Sequence, residues 1–293
     1  MSNRIEDSEL IINADGSAFH LHLKPGQVAD TIILVGDPDR VELIASYFDT
    51  IEARAQNREF ISATGRYRGK RLSVVSTGIG TDNIDIALNE LDALVNIDFQ
   101  TREIKAEHTT LNFVRIGTSG SLQKDLDVDT WLLSEKAIGF DGLLNFYANR
   151  KSVTDNDFEA AFCKHLDWNP LLTSPYVVDA DTGLVAKLQD NPQINKGVTI
   201  SAPGFYGPQG RVLRLNIADP KINDKINTFR YSDYRVTNYE MECSAIYGLS
   251  KLMGHNAATV CAIIANRLAG RYSKDYKPVV KSLIEHVLNS LTA

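Results

Sequence analysis

The sequence has few cysteines, no basic excess and no long apolar run, and each absence excludes a class of protein. Its three cysteines, Cys163, Cys243 and Cys261, are scattered and form no CxxC pair, which argues against a disulfide or zinc framework and indicates cytoplasmic thiols. A net charge of −6 argues against a general nucleic-acid binder. No apolar run approaches the roughly 18 residues of a membrane span, and the first residues lack a signal peptide's apolar core. We therefore expect a cytoplasmic protein that binds neither nucleic acid nor membranes.

The composition that remains is that of an ordinary globular chain. Of its 293 residues, 43% are hydrophobic and 23% are charged, which is enough to build a large core. We find no internal repeat, low-complexity tract or linker, and therefore predict one α/β domain over residues 1–293. Residues 1–18 are interpreted as an N-terminal extension, and the polar run 96–112 as a surface insertion.

The first strand-turn-helix unit indicates an anion site. Thr31–Val35 is predicted to be a buried strand, and a helix follows Gly36-Asp-Pro-Asp-Arg40. This layout points the N–H groups of the helix start at an anion. Asp39 is predicted to cap the helix. Arg40 is unfavourable near a helix start, so we interpret it as placed for a ligand. The loop lacks the GxxxxGK[ST] pattern, so ATP is not implied.

A second candidate anion site follows the apolar strand Phe113–Ile116. Residues Gly117 to Gly120 are predicted to break into a turn whose N–H groups form a concave nest, with the Thr118 hydroxyl beside it. Arg115 lies inside the strand, where a permanent charge is costly unless something anionic pairs with it. Two partners remain open for Arg115, a bound anion or a structural carboxylate.

The same periodicity arguments predict the other main elements. They are strands at Leu72–Ser76, Val128–Ser134, Tyr176–Val178 and Ala257–Ala265, a helix from about Asp82 to Val95, a helix over Asp157–Leu166, and a C-terminal helix with Val279, Leu283, Val287 and Leu291 on one face.

Two histidines lie near the N-terminus. Phe19 to Leu23 alternates between apolar and histidine residues, which predicts that His20 and His22 share one face of an extended segment. A plain surface strand is favoured over a metal site, because no HExxH or cysteine partner accompanies the pair. A single histidine that donates to a ligand hydroxyl is the third option.

Two further groups of polar residues could bind a small molecule. Gln209 and Arg211 follow a predicted strand and together offer a planar array of donors and an acceptor, which suits the edge of a heterocycle. Phe205 could stack on that ring. Tyr239-Glu-Met-Glu-Cys243 is predicted to enter a helix that carries Met241. Its two carboxylates are either an exposed helix start or acceptors for the vicinal hydroxyls of a sugar.

Taken in chain order, these motifs resemble the nucleoside phosphorylase family and, within it, the members that cleave uridine. The resemblance spans roughly residues 19 to 290. Its motifs are Gly36-Asp-Pro-Asp-Arg40, Arg58-Glu-Phe60, Ser76-Thr-Gly-Ile-Gly80, Arg115-Ile-Gly-Thr118, Gln209-x-Arg211, Tyr239-Glu-Met-Glu242 and Asn266-Arg267. It implies a central mixed, partly barrelled β-sheet flanked by helices. Gln209-x-Arg211 resembles the uracil-reading element, and Asn266-Arg267 stands where the purine enzymes carry Ser-Asp.

The resemblance also implies a role for each matching residue. Gly36, Arg40, Arg115 and Thr118 would bind phosphate, with Arg58 supplied by a neighbouring subunit. His20 of the neighbour would meet the ribose 5′-hydroxyl, while Met241 and Glu242 would bind the ribose. Phe205, Gln209 and Arg211 would bind the base. The catalytic set is therefore Arg115, Gln209, Arg211 and Glu242.

The expected reaction is the phosphorolysis of uridine to uracil and ribose 1-phosphate by a homo-oligomer, either a dimer or a hexamer, with shared sites. Phosphate is a co-substrate, and no metal or other cofactor is implied. Asn83 stands where members with a potassium site supply serine, which argues against potassium. The alternatives are a nucleoside hydrolase, a purine nucleoside phosphorylase, or a nucleoside-binding protein without activity.

Overall fold

The computed structural model describes residues 4–293, in which strands and helices alternate along most of the chain. The strands are β1 (Thr31–Val35), β2 (Thr50–Asn57), β3 (Phe60–Tyr67), β4 (Lys70–Ser76), β5 (Ile97–Asp98), β6 (Glu103–Ile104), β7 (Asn112–Ser121), β8 (Trp131–Gly139), β9 (Tyr176–Asp179), β10 (Ile194–Ser201), β11 (Arg230–Tyr231), β12 (Tyr234–Glu240), β13 (Asn256–Asn266) and β14 (Arg271–Tyr272). The helices are α1 (Pro38–Ala45), α2 (Thr81–Asn96), α3 (Asn156–Leu166), α4 (Thr182–Leu188), α5 (Ile222–Thr228), α6 (Cys243–Leu252) and α7 (Lys277–Thr292).

One mixed sheet runs through the whole molecule, with β7 near its centre. On one side β7 pairs with β1 in parallel, and β4, β3 and β2 follow in that order. On the other side it pairs in parallel with β13, which leads through β8 and β10 to β12. The far end of β12 then returns to β7 and pairs with it in antiparallel fashion, at Asn238 with Ser121 and Tyr239 with Gly120. Five strands therefore close into a ring, and the predicted partly barrelled mixed sheet is confirmed.

Helices cover both faces of this sheet, as the apolar patterns predict. α2 and α6 pack on one face through residues such as Ile84, Leu88 and Leu249, all buried. α1, α4 and α7 cover the opposite face, where Leu283 and Val287 of α7 contact the strands. Short apolar strands and amphipathic helices are the patterns that sequence periodicity detects best, and β1 begins and ends as predicted.

The predicted turn at Gly117–Gly120 is wrong, because β7 continues without a break to Ser121. The glycines are held in the strand by partners on both sides. Gly117 to Ser121 pairs with β13 in parallel, and the last two residues also pair with β12. These long-range ladders outweigh the weak local strand preference of glycine, and the expected nest of N–H groups is not formed by this segment.

The extended segment predicted at Phe19–Leu23 is also wrong. The chain turns there, since the His22 amide donates to the Ala18 carbonyl at 3.0 Å and His22 has a positive φ of 52°. Leu21 and Leu23 are buried while His22 is exposed. Burial of the two leucines, not strand pairing, sets this conformation, and the two histidines do not share a strand face.

Three local predictions need correction. Asp37, not Asp39, caps α1, because its carboxylate accepts from the Asp39 amide at 3.0 Å. The strand expected at Val128–Ser134 lies further on, at Trp131–Gly139, where β10 supplies its partner. Met241 precedes α6, which begins at Cys243. The hairpin of β2 and β3 had no predicted strands, because its polar, mostly exposed first strand carries little apolar signal.

The region of the predicted extension and the region of the predicted insertion contact each other. Residues 97–104 form the short β5–β6 hairpin, which is largely exposed. The Ile5 amide donates to the Arg102 carbonyl at 2.8 Å, and the Arg102 guanidinium donates to the Leu10 carbonyl at 2.6 Å. Within residues 4–293, none of the helices is long and apolar enough to cross a membrane.

Candidate active site

Arg115 is the centre of a buried charge cluster in the middle of the sheet. Its guanidinium donates to a Glu242 carboxylate oxygen, and its Nε lies 3.5 Å from Oε2 of Glu240. All three side chains are at most about 5% exposed. Burial disfavours the charged guanidinium, but the neighbouring Glu242 and Glu240 outweigh it and raise the pKa of Arg115. Arg115 is therefore paired with carboxylates in this structure, one of the two options open from the sequence.

The path of β12 explains how two carboxylates reach Arg115. β12 pairs with β7 in antiparallel fashion, at Ser121 and then at Gly120. The chain that follows Tyr239 therefore runs back along β7 towards Arg115. Both carboxylates are buried, which excludes the exposed helix start considered from the sequence. Glu242 also accepts from the Gly80 amide at 2.8 Å, directly before α2. Gly80 has a φ of 100°, a conformation that side-chain-bearing residues rarely adopt.

The cluster also has unsatisfied hydrogen-bond donors. Arg115 Nη1 and Nε are buried and have no hydrogen-bond partner among the described residues. A side chain built at Gly36 would lie 4.0 Å from that Nη1, so the end of β1 borders it. Arg40, in the first turn of α1, donates to the Ile116 carbonyl at 3.1 Å. Burial lowers the pKa of Arg40, and so does the nearby charge of Arg115. The two guanidiniums repel each other, and they lie beside the backbone at the end of β1. This arrangement can bind an oxyanion.

Close packing at Gly117 lets the Arg115 side chain lie along its own strand. A Cβ at Gly117 would come within 2.9 Å of the Cys261 sulfur and 3.4 Å of the Arg115 Nε and Nη2 atoms. We therefore infer that this glycine is required for the approach of the guanidinium to β13, not for a turn.

Two residues of the cluster were missed from the sequence as individual site residues. Glu240 accepts from the Ser201 hydroxyl and from the backbone amides of Glu242 and Cys243. Ser119 lies on the same face of β7 as Arg115, and its buried hydroxyl has no partner within the described chain. The signal for Glu240 was the spacing of two acids, and its separate role depends on the Ser201 contact, which no local pattern encodes.

Thr118 and Met241 lie near the cluster without joining its hydrogen bonds. Strand alternation places Thr118 on the face of β7 opposite Arg115, half-buried. Among residues 4–293 its hydroxyl has no protein partner. Met241 is half-buried between the two carboxylates in the chain. Their predicted roles in phosphate and ribose binding stay predictions.

The three residues predicted to bind a base form a second group in the loop after β10. Arg211 donates to the Phe205 carbonyl at 2.6 Å and to the Gln209 side-chain oxygen. Its guanidinium carbon lies 3.8 Å from the centre of the Phe205 ring, a cation–π contact. Gln209 is buried and Phe205 is half exposed. The structure therefore brings the three together, with one face of the Phe205 ring occupied by Arg211.

Arg267 connects this loop to the central strands. Its guanidinium donates to the Gln209 and Gly210 carbonyls, and the preceding residue, Asn266, lies opposite Ser121 at the end of β7. From the other end, the loop leaves β10 at Ser201, whose hydroxyl bonds Glu240 at 2.5 Å. Burial and the charge of Arg267 lower the pKa of Arg211. The base-binding group is thus tied at both ends to the Arg115 cluster.

His20 and Arg58 lie together, outside the Arg115 cluster. Asn57 donates to the His20 carbonyl at 2.9 Å, and Arg58 follows at the exposed tip of the β2–β3 hairpin with a φ of 52°. The His20 ring lies 2.6 Å from the Glu90 carboxylate. In the described part of the chain, the Arg58 side chain has neither an ion pair nor a hydrogen bond. Among the described residues, neither side chain bonds a member of the Arg115 cluster.

Two other places were considered as ligand sites, a group of possible metal ligands and an open cavity. Asp92, His108 and His255 form a group with metal-ligand atoms within 4.8 Å of one another. However, His255 Nδ1 accepts from the Leu111 amide at 3.1 Å, so its Nε2 carries the proton that bonds Asp92. A neutral histidine ligand at Nε2 would need the opposite tautomer, and these donors do not favour a metal.

An open cavity of about 870 Å³ lies between residues 166–173 and 211–219. Its lining is mostly apolar, and of the predicted site residues only Arg211 contacts it. We place the candidate site at Arg115 instead, because buried charges with unsatisfied donors indicate chemistry more directly than volume does.

The chain is similar to known proteins over most of its length. The profile of the Phosphorylase superfamily matches residues 30–289. The chain is similar to a uridine phosphorylase of Thermococcus kodakarensis, with 29% identity over 89% of this chain and 81% of the relative. It is also 28% identical to a guanosine phosphorylase of Halorubrum lacusprofundi, over 94% of this chain and 98% of the relative.

A solved structure is similar over nearly its whole length. It is a nucleoside phosphorylase of Trypanosoma brucei, described as showing uridine phosphorylase activity. The TM-score is 0.87 and the identity 29%, over 96% of this chain and 99% of that one. Relatives with 28–29% identity therefore include both a uridine phosphorylase and a guanosine phosphorylase.

Proposed function

Because the chain belongs to the Phosphorylase superfamily, a family of nucleoside phosphorylases, we propose that it cleaves uridine with phosphate to give uracil and ribose 1-phosphate. The observation that carries the proposal is the partnerless Nη1 of buried Arg115, which lies beside Gly36 and next to the buried carboxylate of Glu242. A group that can donate a hydrogen bond to an anion therefore lies next to a group that can accept hydrogen bonds from a sugar.

Phosphate would bind between Arg115, Arg40 and the backbone at Gly36. Each guanidinium about 4 Å from a phosphate charge contributes roughly 4 kcal/mol at an effective dielectric of 20. Two or three such groups are enough to bind phosphate in a chain of net negative charge. A hydrolase would activate water and has no need of arginines that converge on an anion, which favours phosphorolysis.

The nucleoside would lie between Glu242 and the loop of Gln209 and Arg211. Glu242 would accept hydrogen bonds from the ribose 2′- and 3′-hydroxyls. As the bond from C1′ to N1 breaks, C1′ becomes cationic and the uracil ring becomes anionic. A phosphate oxygen then bonds to C1′, and uracil takes up a proton. Donors aimed at the uracil oxygens stabilise the departing charge, so no general-acid carboxylate is required.

Two motifs favour uridine over the purine nucleoside that the guanosine phosphorylase relative suggests. Gln209 and Arg211 present an amide and a guanidinium at one edge, which suits the oxygens and N–H of uracil. Arg267 holds the carbonyls of Gln209 and Gly210 and so fixes that edge. We further propose a cytoplasmic homo-oligomer, dimer or hexamer, that receives Arg58 and His20 from a neighbour.

We expect uridine cleavage to require phosphate, because the guanidiniums at Arg115 and Arg40 orient the attacking group. The test is to follow uracil release in phosphate buffer and in phosphate-free buffer, and to assay ribose 1-phosphate and free ribose. Uracil and ribose 1-phosphate should appear in step. Equal uracil release without phosphate, with free ribose as the product, would contradict phosphorolysis.

We expect Arg211→Ala to lower kcat/KM for uridine by roughly 100-fold, the usual effect of losing one donor to a developing anion. Binding of sulfate, which probes the phosphate position alone, should be unchanged. Arg214→Ala is the matched control, since Arg214 is an exposed arginine of the same loop. A parental kcat/KM in Arg211→Ala would show that Arg211 does not read the base.

A further inference from the structure

The Glu240 carboxyl has more hydrogen-bond donors than its neighbour Glu242. It accepts from the Ser201 hydroxyl at 2.5 Å, the Glu242 amide at 2.8 Å and the Cys243 amide at 2.9 Å. These contacts fix the backbone turn that presents Glu242, while Arg115 Nε stays 3.5 Å away without a hydrogen bond. Glu240 therefore fixes the shape of the site through its hydrogen bonds, while its charge acts on Arg115 without a hydrogen bond.

The cluster carries no excess positive charge. Two buried carboxylates, Glu240 and Glu242, are matched by two guanidiniums, Arg115 and, beside it on α1, Arg40. The other titratable groups that face Glu240 are the thiols of Cys243 on α6 and Cys261 on β13. Burial raises the pKa of Cys243 well above its ordinary value and that of Cys261 to about 12, so both are neutral near pH 7.

Glu240 is the group that can take up a proton when negative charge is added to the cluster. Burial, reinforced by the charge of Glu242 and opposed by Arg115, raises the pKa of Glu240 from 4.5 to about 7. Its contact with Ser201 serves both protonation states. A hydroxyl donates to a carboxylate, and after rotation it accepts from a carboxylic acid. Glu242 lacks this freedom, because its oxygens accept only from N–H groups, those of Gly80 and Arg115.

We propose that Glu240 is a proton-holding positioning residue, which takes up one proton from solvent when a doubly charged oxyanion binds at Arg115. The inference rests on the proposed phosphate site. A dianion at Arg115 Nη1 adds two negative charges to a cluster without excess positive charge, so the carboxylate form of Glu240 becomes less favourable. Protonation of Glu240 leaves Arg115 shared between the anion and Glu242, whose oxygens face the proposed ribose position.

Sulfate is the probe, because it stays doubly charged throughout the neutral range and cannot itself supply or take up the proton. The heat of sulfate binding is measured by titration calorimetry in buffers of different ionisation enthalpy, which gives the number of protons taken up. At about pH 7.5 we expect roughly half to three quarters of a proton per site, and close to none at about pH 5.5, where Glu240 is already protonated.

The isosteric variant Glu240→Gln keeps the fold testable, since its oxygen can accept from the two amides and its NH₂ can donate to Ser201. We expect it to bind sulfate with no proton uptake and with an affinity that no longer falls as the pH rises. Glu159→Gln is the matched control. Glu159 is a largely buried carboxylate that accepts from Arg150 at 2.9 Å, far along the chain on α3. The Glu159→Gln protein should take up protons on sulfate binding as the parent does.

Three results would overturn the inference in distinguishable ways. Sulfate binding without proton uptake in the parent, or parental uptake in Glu240→Gln, would refute the role of Glu240 and leave the phosphate site intact. An absence of any sulfate or phosphate binding would remove the anion site itself, and the proposed function with it.

The raised pKa also predicts how Glu240 affects stability, with the sign set by linkage. The folded protein binds this proton more tightly than the unfolded chain does, so the contribution is fully present below pH 4.5 and is lost as the pH rises through about 7. Glu240→Gln should remove that loss. Urea unfolding of both proteins across this range measures it, and identical pH dependences would contradict the assignment.

Discussion

Arg115→Ala is expected to lower kcat/KM for uridine by roughly 1,000-fold, the upper end of the effect of removing one donor from a reacting centre. The substitution removes the proposed phosphate ligand and leaves Glu240 and Glu242 buried without their counter-charge. Removal of one partner of a buried ion pair typically costs about 3–5 kcal/mol of stability. Steady-state kinetics, together with urea unfolding, measures both effects.

Arg115→Lys separates catalysis from folding. It retains the charge but not the fork geometry that lets one side chain contact Glu242 and an anion together, so it should fold and still lose most activity. Arg235→Ala is the control, because Arg235 pairs with Asp125 at 2.6 Å at the start of β12, away from Glu240. Surface pairs of this kind contribute about 0–1 kcal/mol. Near-parental kcat/KM in Arg115→Lys would contradict the assignment.

Mixing two inactive variants should restore activity to roughly a quarter of the sites. In the shared-site proposal, Arg58 acts in the neighbour's site while Arg211 acts in its own. A mixed pair of Arg58→Ala and Arg211→Ala subunits then has one site with both defects and one with neither, by two-fold symmetry. Half of all pairs are mixed after random exchange, hence a quarter of the sites. The variants are unfolded and refolded together, and uridine cleavage is assayed.

As the control, each variant is unfolded and refolded alone. Mass-tagged chains verify that subunits exchange. Activity that stays at the level of the separate variants after demonstrated exchange would show that each site is built from one chain. The hairpin that carries Arg58 also touches its own chain near Gly78, through Asn83 and Glu59 at 3.1 Å, so the experiment decides between two concrete geometries.

The sequence predicted those elements whose pattern is local. β1, β4 and α7 carry buried apolar residues at strand or helix spacing, and they lie where expected. The end of β7 could not be predicted, because its glycines become a strand only through the pairing with β13 and β12 that the whole fold supplies. β2 was missed for a different reason, because its polar and mostly exposed residues carry little apolar signal.

The site divides along the same line. Arg115 could be identified from sequence because a permanent charge in an apolar strand needs a partner. The partner of Arg115 could not be identified from sequence, because Glu242 reaches it only through the antiparallel pairing of β12 with β7. Glu240 and Glu242 look equivalent in the sequence, and only the contacts of Ser201 and Gly80 distinguish them.

The most direct test of the central claim is a competition in one tube. Equal concentrations of uridine and guanosine are incubated with the protein and phosphate, and uracil, guanine, ribose and ribose 1-phosphate are separated over time. Rates in such a mixture follow the ratio of kcat/KM values. The proposed site predicts that uracil and ribose 1-phosphate accumulate together while guanosine remains. Guanine appearing ahead of uracil, or free ribose as the sugar product, would contradict it.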